Sequence, residues 1–305
     1  MTPEIFSEWL RRQGQRVVRT ASSYWHSEGW RVYQAFPYHW LIQPSAEEIR
    51  ELTSRHRAAA LRYSAPARRE GTTDGYHMVY NGQDYDLETL GAGARHNVRR
   101  GMRSCSVGPI EFARYIEEGW ALRVDTLARQ HRRLPESRED WRRKNLAAAD
   151  LAGFEVWAAE VNQRLAATLL IFQMDGWGYS MDQQSHRDYL RDHVNNALTF
   201  VVMQNLIRRR DLRGIFNGMR SLDAPASVDE YKLRMGYEAR PVRQRVAFHP
   251  GLAPLVTPLT CRVAKSLLAA SPSTRWLAKA DGMLRLGLAD KHPSLPEASG
   301  DEVLR

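Results

Sequence analysis

The segment from Phe154 to Ser185 restricts the fold most. "FEVWAAEV" alternates and is rich in β-formers, "NQR" is turn chemistry, and "LAATLLIFQM" is a nearly continuous apolar run. A run of that kind between turns fills a central strand covered on both faces. "DGWG" then turns the chain into "YSMDQQS". A helix follows from about Val194 to Arg210, with Ala197, Phe200, Val201, Gln204, Leu206 and Ile207 on its periodic face. "GIFNGMRS" is a further strand, "SVDEYKLRMG" a capped short helix ending at Gly236, and "YEARPVRQRVAFHP" a last strand. A strand-to-helix crossover that returns to a neighbouring strand makes a mixed α/β sheet with its ligand crevice at the strand ends.

The first 150 residues have a similar mixture. Ile5, Phe6, Trp9 and Leu10 lie at helical spacing, and the aromatic-dense "SSYWHSEGWRVYQAFPYHWLIQP" suggests short strands around a turn. Ser45 with Glu48 forms a capping-box pattern that starts a helix. "AAALRYSAP" and "GYHMVYN" are expected as strands joined by the polar "ARREGTTDG". "DLETLGAGARHNVRRGMRSC" is expected to be helical, "VGPIEFA" a short strand, and Glu117 to Gln130 a long helix.

The composition, with 43% hydrophobic and 26% charged residues, belongs to a folded globular chain. Cys105 and Cys261 stand far apart without metal-ligand spacing, and His186 and His193 have no further ligand near them, so no disulfide framework or metal site is expected. The N-terminus lacks a secretory pattern and no stretch reaches membrane-span length, so a soluble, cytoplasmic protein is expected, with no integral membrane segment. The net charge of +9 is carried almost wholly by arginine, with lysine only at 144, 232, 265, 279 and 291. Such a charge invites an anionic partner, although genome composition also produces arginine bias. Of the basic clusters, "RQHRRLPESREDWRRK" is rich in acids too and is taken as a solvated face.

The element order resembles that of the GNAT superfamily of acyltransferases. "LGAGARHNVRRGMRSCSV" is similar to the R-x-N-x-R-(K/R) helix that precedes the catalytic half of FemAB-like proteins, and "DEYKLRMGYE" to their F-K-x-x-F-G motif. The likeness spans roughly residues 85 to 250. FemAB-like proteins pair two GNAT-type halves; some transfer amino acids from aminoacyl-tRNA to peptidoglycan precursors. The resemblance implies a mixed, mostly antiparallel sheet flanked by helices: a degenerate GNAT-like half over residues 1–90, a catalytic half over 91–250 and an amphipathic helical tail over 251–305. The tail helices, "LVTPLTCRVAKSLLAA" and "TRWLAKADGMLRLGLAD", either pack on the domain or seek a surface.

The resemblance puts the family's Phe-Lys pair at Tyr231 and Lys232. A lysine ammonium there stabilises the anion formed when an acyl carbonyl is attacked, or holds a phosphate; the other reading is a lysine on an exposed helix face. Alternation puts Ser180 and Asp182 on one face of their strand, where Asp182 accepts a proton from an attacking amine or is simply a surface charge. Asn217 and Arg220 close the next strand, with Asp223 in the loop beyond it, as binding candidates. Arg95 and Arg99 of the basic helix are further substrate-binding candidates. Acyl-CoA enzymes of this superfamily hold pyrophosphate on a glycine-rich turn before a helix. Here that region reads "SHRDYLRDHVNNALT", without glycine, and leaves His193, Asn195 and Asn196 as donor-binding candidates. The expected activity is direct N-acyl transfer from acyl-CoA or aminoacyl-tRNA, as co-substrate rather than bound cofactor, to an amine-bearing small molecule or peptide. The alternative is a non-catalytic protein that binds tRNA or a membrane surface.

Overall fold

The central strand β8 (Arg164–Met174) is apolar and buried along most of its length because it is covered twice. Leu169 and Ile171 enter one core, whereas Leu170, Phe172 and Met174 enter another on the opposite face. This computed structural model describes residues 1–29, 31–67, 75–130, 132, 134–221, 226–270 and 275–291.

Before β8 come helix α1 (Pro3–Arg12), strands β1 (Val17–Arg19), β2 (Tyr24–Ser27) and β3 (Val32–Phe36), helix α2 (Ala46–Ser54), and strands β4 (Ala60–Ala65) and β5 (Gly75–Tyr80). They are followed by α3 (Ala92–Ser104), β6 (Ser106–Ile110), α4 (Phe112–Arg129), α5 (Arg138–Ala149) and β7 (Phe154–Val161). After β8 the chain forms β9 (Trp177–Ser185), α6 (Val194–Arg208), β10 (Gly214–Met219), α7 (Ala226–Arg234), β11 (Glu238–Phe248), α8 (Pro258–Ala270) and α9 (Arg275–Lys291). Ser45 caps α2 with the reciprocal bonds to Glu48 that its sequence predicts.

The strands make one sheet in the order β1-β2-β3-β4-β11-β5-β10-β9-β8-β7-β6. Its ladders are antiparallel except two among the described residues: β3 with β4, joined through α2, and β9 with β10, joined through α6. The same strand–helix–strand unit therefore occurs once on each side of β11, so the sheet is the mixed, mostly antiparallel, two-half arrangement expected above. Strand β11 joins the halves, pairing with β5 over Glu238–Val242 and with β4 over Arg243–Phe248.

One expectation is corrected and a second refined. Helix α4 begins at Phe112 rather than near Glu117, because Phe112, Tyr115 and Ile116 already supply its buried face. The described residues from Arg129 to Lys144 are mostly exposed, as expected of a solvated face, but Trp141 of α5 is fully buried against Tyr115 and Trp120 and donates its indole N–H to the Ile116 carbonyl at 3.2 Å. The abundant charges of that stretch conceal a single buried anchor. At the other end, α9 packs on β11, with Asp290 accepting from Arg243 at 3.0 Å and ion-paired with Arg245 at 2.6 Å, and α8 rests on α9. Among the described residues, no helix is long and apolar enough to cross a membrane.

Candidate active site

Strands β9 and β10 run parallel only where Trp177–Tyr179 meets Gly214–Phe216. β9 continues to Ser185 without pairing to β10, and the register of β10 shifts between Phe216 and Met219. Gly218, at φ +111°, has the left-handed backbone that favours glycine and allows this turn away. A cleft of about 310 Å³ lies where the strands part. Ser180, Gln183 and Ser185 line it from β9, and Asn217 from β10. Asn195 lines it from the first turn of α6, and Tyr231 and Lys232 from α7.

The polar groups around this cleft are held by one another. Tyr231 shares a 2.9 Å hydrogen bond with Thr199 and donates to the Asn195 carbonyl at 2.9 Å. Gln183 donates at 3.3 Å to both Asn195 and Thr199, and Asn195 in turn donates to Ser185 at 3.1 Å. Arg129 of α4 reaches the Ser185 hydroxyl at 3.1 Å, and Thr126 accepts from the Ser185 backbone N–H at 2.9 Å. Burial pushes the Tyr231 phenol up, opposed by its bonds with Thr199 and Gln183, so it stays a neutral donor. The hydroxyl that distinguishes Tyr231 from the family's phenylalanine thus ties α7 to α6.

Lys232 is only 16% exposed, and its Nζ lies 3.5 Å from Asp229. A methyl built on Gly218 would meet that Nζ at 3.8 Å, so the ammonium stands over the β10 backbone where the strands separate. Burial holds its pKa below the usual lysine value, with Asp229 acting in the opposite direction. Asp229 also accepts a hydrogen bond from Tyr76. The exposed-face reading of Lys232 is therefore wrong. Asp229 escaped the sequence reading although its signal was present, three residues before Lys232 on the same helix. Arg129 and Thr126 gave no such signal, because only tertiary packing brings α4 to this cleft.

The expectation that Ser180 and Asp182 share a face is corrected by a β-bulge. Ser180 pairs opposite Ile171 but Asp182 opposite Leu170, adjacent residues of β8 that enter different cores. Asp182 consequently points toward α4 and α5, where Lys144 contacts it at 2.9 Å and Arg123 at 3.6 Å. Burial would raise its pKa, but the two cations hold its carboxyl below the usual range.

The other candidates disperse. Arg220 has its backbone N–H on the Tyr76 carbonyl at 2.9 Å and its own carbonyl near Gln244, placing it at the seam of the halves. Asp223 lies outside the described residues. Arg95 pairs with Glu88 at 2.6 Å and bonds the Leu90 carbonyl, bracing the start of α3, whereas Arg99 is exposed. Asn196 contacts the Met235 sulfur, and His193 sits in the left-handed region at φ 53° before α6. Burial, Arg100 and His96 together hold the His193 imidazole below its usual value. Among the described residues no cluster of His, Cys, Asp or Glu could hold a metal ion.

No family model matches the chain, and no curated protein matches it in sequence. Solved structures do resemble it. FemX superposes with a TM-score of 0.55 at 9% identity, covering 78% of this chain and 89% of its own. The C-terminal DUF2156 domain assigned to a lysylphosphatidylglycerol synthetase of Agrobacterium fabrum gives 0.54 at 13%, covering 80% and 87%. L-PGS from Bacillus licheniformis gives 0.50 at 12%, covering 81% and 91%. At these identities the likeness is one of fold.

Proposed function

We propose that this chain, which has the two-half fold shared with FemX and the L-PGS domains, is an N-acyltransferase that uses the β9/β10 cleft. The observation that carries this reading is the buried Lys232 ammonium placed over the point where the two strands part. An acyl carbonyl entering there meets the unpaired edge of β9 and a fixed cation, both able to stabilise an oxyanion. The acceptor's amine nitrogen attacks the acyl carbon; a C–N bond forms, the bond from that carbon to the donor's oxygen or sulfur breaks, and the proton lost by nitrogen leaves through water to the departing group. Asp182, clamped between two cations on the other side of the sheet, takes no part. Asp229 keeps the Lys232 ammonium in place, and Ser180, Gln183 and Asn217 orient the reactants. No acyl-enzyme is required: burial pushes the Cys105 thiol up to about 11, which leaves it a poor nucleophile.

Aminoacyl-tRNA suits the donor position better than acyl-CoA. The turn before α6 has a left-handed histidine in place of glycine. Helix α3 also leans on the first turn of α6, so closely that a methyl on Gly101 would lie 2.5 Å from the His193 carbonyl oxygen. That leaves little room for a pyrophosphate at the α6 N-terminus. Arg99, Arg100 and Arg103 on α3 are exposed and pair with no carboxylate among the described residues, a row of cations suited to an RNA backbone. The acceptor is an amine-bearing small molecule or peptide. The reading is tested by incubating the protein with radiolabelled aminoacyl-tRNA, or with acetyl- and longer acyl-CoAs, and a panel of amines. Amide formation from the tRNA donor is expected, with loss of about a hundredfold in rate for Lys232→Ala, the scale set by removing one oxyanion donor. Turnover with CoA thioesters alone would overturn the donor assignment, and wild-type rates in Lys232→Ala would overturn the mechanism.

A further inference from the structure

Helix α8, packed on α9 and sharing no lining residue with the cleft, exposes its apolar side. Leu259 is 68% exposed, Val263 51% and Leu267 51%, and Leu255, just ahead of the helix, 60%. Residues four apart drift by only about 40° around a helix, so Leu259, Val263 and Leu267 form one stripe. Ala264, the buried residue of α8, turns toward α9 on another side. Four neighbouring large apolar side chains in water are costly, and they mark a surface that is covered in use.

Charge and shape identify what covers it. No Asp or Glu occurs between Glu238 and Asp281, whereas Arg262, about 60° around the helix from Leu259, is exposed beside the stripe. At the foot of the stripe, Leu252 lines a second cavity, of about 260 Å³, together with Arg31, Arg57 and His249. Neither Arg31 nor Arg57 pairs with a carboxylate among the described residues, and both are exposed. His249 accepts the Gly251 N–H on Nδ1 at 3.0 Å, which leaves Nε2 as its free donor. An apolar ridge with Arg262 along one edge and a cationic pocket of headgroup size at its base complements an anionic phospholipid surface: acyl chains take the ridge and a phosphate takes the pocket.

We infer that α8 and the Arg31–Arg57–His249 pocket form a docking site for an anionic phospholipid bilayer. A protein partner would not need the phosphate-binding pocket beside the ridge. Docking does not involve Lys232 or the β9/β10 cleft, so it holds or fails independently of the proposed acyl transfer.

The test is co-sedimentation of the full chain with vesicles of phosphatidylcholine alone or of equal parts phosphatidylcholine and phosphatidylglycerol. Binding is expected only to the mixed vesicles, and it weakens as salt rises. Leu259→Asp combined with Val263→Asp should lower the apparent affinity by about tenfold or more, since two apolar anchors are lost. Arg31→Ala with Arg57→Ala should weaken it severalfold, and glycerol 3-phosphate should compete for the wild type but not for this variant. These side chains are exposed, so melting temperatures should stay near wild type, and circular dichroism checks that they do. Absence of sedimentation with the mixed vesicles would overturn the proposal, as would binding indifferent to the stripe variant. So would light scattering that shows the stripe mediating self-association without any vesicle binding.

Discussion

Lys232 makes a prediction that separates an oxyanion-stabilising ammonium from a merely structural lysine. Burial lowers its pKa from the ordinary 10.5, so its charge is lost at a lower pH than that of a free lysine. If the charged form does the work, kcat falls on the alkaline side below pH 10.5. In Asp229→Asn, which removes the group that supports the charge, the falling limb shifts to still lower pH. A pH–rate profile of wild type and variant checks both, and an unchanged alkaline limb would count against the ammonium. Two other buried residues govern stability rather than rate. Burial lowers His39, despite its 3.1 Å contact with Asp175, and His77, also affected by His39, to about 4. Both rings are thus held neutral in the fold, whereas the unfolded chain takes up protons below about 6.5. Stability is therefore full above that value and falls as pH drops toward 4, by on the order of 3 kcal/mol for each residue. Melting temperatures measured from pH 7 to pH 4 should show this slope, and His39→Gln and His77→Gln should flatten it.

At the scale of elements, the contact of α3 with α6 is the one most open to test. A Cβ at position 101 would meet the His193 backbone oxygen at 2.5 Å, and a backbone atom cannot swing aside as a flexible side chain can. Gly101→Ala should therefore push α3 away from α6 at a cost of about 1–3 kcal/mol. It should also impair donor binding more than acceptor binding, seen as a rise in KM for the donor in steady-state kinetics. Most elements of this half were legible in the sequence, because the periodicity from Phe154 onward and the turns "NQR" and "DGWG" are local signals. Lys232 and Tyr231 were legible through a motif, and the cleft indeed gathers them with Ser180, Asn195 and Asn217. Asp182 misled because strict alternation does not anticipate a bulge, which is fixed by how β8 and β9 pair. Arg129 was hidden among charges that look like solvated surface, and the burial of Trp141 depends on contacts with α4 that no local pattern records.

The whole molecule has two halves but is built to unfold as one. Strand β11 gives its first half to β5 and its second to β4, so neither side of the sheet is complete without it. One core also crosses the seam: Phe6, Tyr24 and Phe36 from the first third of the chain pack with Phe172, Tyr179 and Phe216. The Phe6 ring centroid lies 5.2 Å from that of Phe36, edge-on, and 5.2 Å from that of Phe172, tilted. Further ties join the halves, among them Trp40 and His39 on Asp175 and the Trp9 indole on the Lys144 carbonyl. Separating the halves would expose this aromatic core and leave β11 with an open edge, a larger penalty than either half could sustain alone. The calorimetric and van't Hoff enthalpies should therefore agree across a single transition, even though chains of this length commonly unfold in steps. Phe36→Ala, at a fully buried position, should cost about 3–5 kcal/mol and lower that one midpoint without splitting it. Two resolved calorimetric peaks, with only the lower moved by Phe36→Ala, would mean that the seam is a contact between independent domains and not a shared core.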